Sequence, residues 1–188
     1  MPAYAALLRA VNVGGTGKLP MAELQAMCEA EGYAGVRTYI ASGNVVFHAG
    51  LDPAQVKAAL ERRLLAYAGK PVRVLVRTAA ELASVLAANP FRDEAPNRTI
   101  AIFLDEAPST GALETVSQQG DERLALGERE IYVAYGAGMA DSRLRIPAGE
   151  AGTGRNMNTV ARLAAMAAAL EPESPAPPSR PARTRRSG

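Results

Sequence analysis

The amino-acid sequence predicts an α+β fold made of two related halves. Segments with the two-residue apolar period of strands alternate with segments of helical period through residues 3–78, and a less regular succession of the same kind follows. The chain has 188 residues, 48% of them hydrophobic, which suits one domain or two small subdomains that share a core. We therefore place the two halves at residues 1–78 and 79–170.

The first half begins with a strand and a helix. Residues 4–13 carry apolar side chains on both faces, which is typical of a central strand. Pro20 suits the first position of a helix that extends to Glu31, because a helix start leaves its first N–H groups unpaired and proline has none. Leu24 and Cys28 fall on one face of that helix, which we expect to be its buried side.

A hairpin, a second helix and a fourth strand complete the first half. Gly43-Asn44 is a favoured two-residue turn, so residues 36–47 predict two antiparallel strands around it. Asp52 can cap the second helix, which extends to Ala68, and residues 72–77 form the last strand. The resulting order of strand, helix, strand, strand, helix and strand is the ferredoxin-like βαββαβ pattern.

The second half predicts the same ferredoxin-like unit in incomplete form. Thr78 and Glu81 have the spacing of a capping box and open a helix to about Ala88. The elements predicted after it are a strand at 99–104, a short helix after Pro108, paired strands at 123–126 and 130–135, and a helix at 156–170. Residues 171–188 are rich in proline and arginine and cannot bury a core, so we expect a disordered tail.

Composition narrows the class of function. The net charge of +2 arises within residues 171–188, and the rest of the chain carries equal numbers of acidic and basic side chains. A balanced body argues against a strongly electrostatic nucleic-acid binder. Cys28 is the sole cysteine, which excludes an internal disulfide. We find no metal-ligand cluster and no acid–base pair, and we predict no cofactor, no membrane association and a cytoplasmic location.

The sequence resembles a known family in several segments. Residues 7–47, which read LLRAVNVGGTGKLPMAELQAMCEAEGYAGVRTYIASGNVVF, are similar to the opening of the family called domain of unknown function 1697. Further matches are Asn89-Pro90-Phe91, Ile131-Tyr132 and residues 152–160. The resemblance implies a bacterial-type protein with an α+β fold of two ferredoxin-like halves, and it implies no reaction. Members usually have Trp where this chain has Met157. If the side chain at this position packs in the core, Met is a tolerable replacement; if the Trp stacks on a ligand, this protein has lost or altered that binding.

Two glycine-rich segments precede predicted helices and suggest an anion site. Gly14, Gly15 and Lys18 lie before the first helix, and residues 152–155, which end in Arg155, lie before the last. A cation beside the positive end of a helix dipole is unfavourable by roughly 0.3–1 kcal/mol unless an anion is near. Backbone N–H groups, glycines and a cation together can cradle a phosphate or carboxylate. The simpler interpretation is that the glycines permit turns and the cations face water.

Several polar residues could complete such a site. Asn12, Ser42, Asn44, Asn156 and Asn158 would supply hydrogen bonds to a small anionic ligand. Arg9, in the predicted central strand, needs an open sheet face or a partner, so it lines the same site or forms a structural ion pair.

The segment at Lys18 is not a nucleotide-binding P-loop. Leu19 follows the lysine where that motif has the Ser or Thr that binds magnesium. The sequence therefore gives no support to an ATPase mechanism, and it identifies no nucleophile or general base.

Two other classes of function remain open from the sequence. Ferredoxin-like sheets can bind RNA by stacking bases on aromatic side chains, although only Tyr39 and Phe47 are aromatic in the predicted hairpin. The protein could instead be a structural or partner-binding protein without catalysis, such as a homodimer joined at a sheet edge.

Overall fold

The structure, a computed structural model, describes residues 1–13 and 18–170. Gly14 and Gly15 of the predicted anion site and the predicted tail therefore lie outside the described residues. The described chain contains two four-stranded antiparallel sheets and four α-helices. In chain order the elements are β1 (Ala3–Leu8), α1 (Met21–Ala30), β2 (Ala34–Thr38), β3 (Asn44–His48), α2 (Pro53–Ala68), β4 (Val74–Thr78), α3 (Ala79–Ala88), β5 (Thr99–Phe103), β6 (Arg123–Leu126), β7 (Glu130–Ala134), β8 (Thr153–Asn156) and α4 (Met157–Ala168).

The first sheet has the strand order β2-β3-β1-β4, with antiparallel pairing throughout. Strand β1 is central and all six of its residues are buried, as its two apolar faces predict. Helices α1 and α2 cover the outer face of this sheet, where Leu24, Leu60 and Phe47 belong to one apolar cluster.

The second sheet repeats the order of the first, as β6-β7-β5-β8. It lacks an α-helix between β5 and β6 and between β7 and β8, where turns and the short 3₁₀ segments Gly136–Asp141 and Pro147–Gly149 stand instead. The predicted helix after Pro108 is therefore wrong. Its residues make isolated i→i+3 bonds, such as Ala112 N to Ser109 O, because the segment is too short to form and propagate an α-helix.

Helices α3 and α4 lie between the two sheets and join them through one central core. The inner face of the first sheet and one face of the second both contribute to this apolar cluster. Its members include Leu7, Val46 and Leu75 of the first sheet, Phe103 and Tyr132 of the second, and Leu82, Met157 and Leu163 of the helices. None of the helices in the described part of the chain is long and apolar enough to cross a membrane.

The helix starts follow local signals. Asp52 accepts from Gln55 N at 2.9 Å, and Thr78 accepts from Glu81 N at 3.1 Å, each within a complete capping box. These two caps confirm the predicted starts of α2 and α3.

Two predicted boundaries in the first half are wrong. Strand β1 ends at Leu8 rather than Val13, because Ala10 and Asn12 adopt φ angles of 51° and 55°, which no strand tolerates. The hairpin turn is not Gly43-Asn44. The connection comprises residues 39–43, and Asn44 opens β3 as a fully buried residue.

Candidate functional site

A cavity of about 740 Å³ lies at one end of the first sheet. Its walls come from three parts of the chain: the segment between β1 and α1, the C-terminal turns of α2, and the segment that joins α2 to β4. We call it the cationic cavity. Its lining comprises the basic residues Arg9, Lys18, Lys70 and Arg73, the apolar residues Ala10, Val11, Leu19, Leu64, Ala68, Pro71 and Val72, and Tyr67.

The charge of the cavity has one sign. Four of its twelve described lining residues are basic and none is acidic. Within the described residues, Arg9, Lys18 and Arg73 take part in no ion pair, whereas nearby Lys57 is 2.5 Å from Asp105. A concave surface lined by one sign of charge concentrates ions of the opposite sign.

Strand pairing places two of the arginines opposite each other. Leu8 pairs with Val74 in the β1–β4 ladder, and the next N–H, that of Arg9, donates to Arg73 O at 2.9 Å. Arg9 and Arg73 therefore face each other across antiparallel backbone and line the same cavity. The Arg73 guanidinium also approaches the second half of the chain, where its Nη1 lies 3.5 Å from Ala151 O.

Lys18 and Lys70 lie beside helix ends of opposite polarity. Lys70 follows the left-handed C-cap Gly69 of α2, where the helix dipole favours a cation. Lys18 lies two residues before Pro20, the N-cap of α1, which makes no side-chain cap hydrogen bond. As predicted from the sequence, a cation at this position interacts unfavourably with the positive end of the α1 dipole. An anion beside Lys18 would offset this unfavourable interaction.

Asn12 holds the segment that carries Lys18. Its side-chain Nδ2 donates to Leu19 O at 2.8 Å and to Ala41 O at 2.7 Å, and its Oδ1 accepts from Leu19 N at 2.7 Å. The amide is thus committed to backbone groups and ties Asn12 to Leu19 and Ala41. Asn12 positions the wall of the cavity rather than offering its side chain to a ligand.

Arg155 lies away from the cationic cavity. Residues 153–155 form most of strand β8 instead of a glycine-rich loop, because they pair with Phe103, Ile102 and Ala101 of β5. The Arg155 guanidinium points into the protein and donates to Leu8 O at 2.8 Å and to Asn44 Oδ1 at 2.6 Å. Burial lowers its pKa to about 10, and its cationic side chain links the second sheet to the first.

Ser42 and Asn44 belong to this buried link. Asn44 Nδ2 donates to Tyr39 O and to Ser42 Oγ, both at 3.0 Å, while Ser42 O accepts from Arg155 Nη2 at 3.0 Å. All the polar atoms of the Asn44 side chain are thereby paired. Their hydrogen bonds go to each other and to the backbone, so the group orients the ends of β1 and β3.

The remaining predicted residues lie at the start of α4. Asn156 caps the helix, with its Oδ1 accepting from Thr159 N at 2.9 Å, and Asn158 is exposed on the first turn. Met157 is buried in the central core, which favours the interpretation that this position packs.

Lys70, Arg73 and Tyr67 were missed by the sequence analysis. Their segment reads as an ordinary helix end followed by a strand, and no motif marks it. Its proximity to Arg9 follows from the pairing of β4 with β1, whose partners are about 70 positions apart in the chain. In the described part of the chain, no group of three or more His, Cys, Asp or Glu side chains could hold a metal ion.

Comparisons with known proteins agree with this architecture. A sequence model of the family described as "Protein of unknown function (DUF1697)" matches residues 1–132. A solved structure of the conserved bacterial protein SP0830 from Streptococcus pneumoniae is similar, with 26% identity and a TM-score of 0.73. The similarity covers 88% of this chain and 98% of that chain. No curated protein matches this chain significantly.

Proposed function

We propose that this chain, which belongs to the DUF1697 family, binds a small anion in the cationic cavity. The observation that carries the proposal is the charge of the lining, with four basic residues and no acidic residue among those described. The pair Arg9 and Arg73 strengthens it, since both line the cavity from neighbouring backbone positions and neither has an acidic partner among the described residues. The ligand site thus keeps Arg9 and Lys18 from the sequence prediction and replaces Arg155 with Lys70 and Arg73.

The chemistry of the lining favours phosphate or carboxylate groups. Guanidinium groups present several N–H donors in a plane that matches these anions, and lysine supplies a compact charge. The described lining residues include no Ser, Thr, Cys, His, Asp or Glu, and Tyr67 is the sole uncharged polar one. We therefore propose binding, without a catalytic step.

We also infer that the first half is ferredoxin-like and that the second is an incomplete copy of the same unit. Support comes from the strand order, which is the same in both sheets, and from α1 and α2, which pack on one face of the first sheet. The RNA alternative gains no specific support, since Phe47 is fully buried and Tyr39 packs against the central core.

The test is a calorimetric titration of the full chain with inorganic pyrophosphate at low salt. Arg9→Ala and Arg73→Ala should each weaken binding about tenfold or more, because a hydrogen bond to a charged group contributes roughly 1.5–3 kcal/mol. Arg37→Ala is the matched control, since Arg37 is exposed on β2 at the opposite edge of the same sheet. Equal affinities for all three variants and the original chain, or no binding at all, would contradict the proposal.

A further inference from the structure

We propose that the anion bound in the cationic cavity is the head group of a monomeric aliphatic amphiphile, such as an alkyl or isoprenoid phosphate. This inference rests on the proposed anion binding and names the class of ligand. Three observations carry it: the separation of charged from apolar residues within the cavity, the shortage of side-chain hydrogen-bond acceptors, and the size of the space.

Charge and apolar surface occupy different parts of the cavity. Arg9, Lys18, Lys70 and Arg73 are all exposed and form the rim. The floor consists of aliphatic side chains that continue into the core beneath α1 and α2: Val11, Leu19 and Leu64 are only 6%, 5% and 1% exposed. A ligand that matches both parts has an anionic head at the rim and an apolar body on the floor.

The side chains of the described lining supply donors almost exclusively. Arginine and lysine side chains donate and cannot accept, and Tyr67 is the single described lining side chain with an oxygen. Sugars and nucleobases carry hydroxyl and amino donors that need acceptors when they leave water. An alkyl phosphate carries hydrogen-bond acceptors on its phosphate group, and its hydrocarbon chain has no donors that need acceptors from the protein.

The space suits a ligand of this kind. A volume of about 740 Å³ exceeds what inorganic phosphate needs and lies within the roughly 300–1,000 Å³ of small-molecule sites. Tyr67, 46% exposed on the last turn of α2, extends the apolar surface towards the rim. Hydrocarbon bound there would cover side chains that otherwise face water.

The experiment compares phosphates of matched charge and different bodies by calorimetry on the full chain. Inorganic phosphate, butyl, hexyl and octyl phosphate form one series, kept below the concentration at which they aggregate. Adenosine monophosphate and glucose 6-phosphate form the other. Affinity should rise up to about fourfold per buried methylene along the alkyl series, whereas the nucleotide and the sugar phosphate should bind no more tightly than inorganic phosphate.

Val72→Thr tests the floor separately from the rim, because it changes polarity at nearly constant shape in a half-buried position. It should lower the ratio of octyl to butyl phosphate affinity at least threefold, and this ratio cancels any effect that the variant has on binding of the phosphate group itself. Val36→Thr is the matched control, being half-buried on β2 at the far edge of the sheet. Equal effects of the two variants would overturn the assignment of the floor.

The outcomes separate this inference from the function on which it rests. Phosphate binding that Arg9→Ala weakens, with no dependence on chain length, would overturn the aliphatic ligand and leave anion binding in place. Tighter binding of adenosine monophosphate would do the same. Binding to phosphatidylglycerol vesicles without binding to monomeric octyl phosphate would overturn the monomeric ligand, and no binding to any phosphate would overturn both proposals.

Discussion

Arg155 has a structural role, whereas Arg9 remains accessible to a ligand. The guanidinium of Arg155 donates to three backbone carbonyls near β1 and β3 and to Asn44 Oδ1, and it is 8% exposed. A buried arginine with this many partners orients its surroundings and has little capacity left for a solute. Arg9, in contrast, is exposed at the cavity and within the described residues has no acidic partner.

Replacing Arg155 should therefore reduce stability. Arg155→Met leaves Asn44 Oδ1 and backbone carbonyls without their donor, at a cost of roughly 1–3 kcal/mol for each buried group. We expect a loss of at least about 3 kcal/mol in the free energy of unfolding, measured by urea denaturation. Arg162→Ala, at an exposed position on α4, should change it by less than about 0.5 kcal/mol. Similar small losses in both variants would show that the link contributes little.

Cys28 predicts a specific pH dependence. Burial raises the pKa of its thiol from 9.0 to about 12 in the folded protein. As pH rises through 9 the unfolded chain releases this proton while the folded chain retains it, so its contribution is constant well below pH 9 and stability falls as pH rises towards 12.

For one such group, the decrease in the free energy of unfolding approaches about 1.4 kcal/mol per pH unit. Cys28→Ala should flatten the free energy of unfolding between pH 9 and 10, a window below the ordinary tyrosine pKa of 10.0. Equal slopes for the variant and the original chain in that window, measured by urea denaturation, would refute the assignment.

At the scale of elements, strand β8 depends on a close approach that glycine permits. A Cβ on Gly152 would lie 2.8 Å from Ile102 Cγ2 and 2.9 Å from Leu104 Cδ2, and it would also meet the carbonyl oxygen of Phe103. Because backbone cannot move aside easily, a larger residue would push β8 away from β5.

Gly152→Ala should accordingly lower the free energy of unfolding by about 1–3 kcal/mol. The matched change is Gly138→Ala, since Gly138 has a φ of −91° and nothing within 4 Å of the added methyl group. That control should be neutral or slightly stabilising. Thermal unfolding of the two variants side by side checks the prediction, and equal melting temperatures would contradict it.

The same scale explains which parts of the fold the sequence could predict. Helices α2 and α3 carry their start signals within four residues, so Asp52 and Thr78 were identified as caps. Strand β8 has no such signal: residues 153–155 look like a loop and become a strand because β5 lies beside them. The sequence could not predict the cavity for the same reason, since Arg73 lies beside Arg9 through a strand pairing that no local sequence pattern encodes.

At the scale of the whole molecule, α4 is one of the two helices that both sheets share. Its residues pack with β1 and β3 of the first sheet and with β5 of the second, and Val160, Leu163 and Ala167 belong to the central core. One apolar layer therefore contributes to the stability of both sheets.

Leu163→Ala should lower the free energy of unfolding by about 2–5 kcal/mol, the range for a buried leucine. Amide hydrogen exchange should show protection falling together in β1 and β5. Leu65→Ala removes the same atoms from a side chain that is 47% exposed and should have a much smaller effect. A loss of protection confined to β5 would show that the sheets unfold independently.

The position of α4 late in the sequence has a consequence for synthesis. A nascent chain leaves the ribosome from its N-terminus. Most strands of both sheets therefore emerge while Val160 and Leu163 of α4 are still inside the ribosome. Until α4 emerges, Leu7 and Phe103 lack one of the two helices that lie between their sheets. The nascent protein therefore passes through a stage with a long apolar surface open to other chains, which is the form that chaperones bind and the form most prone to aggregation.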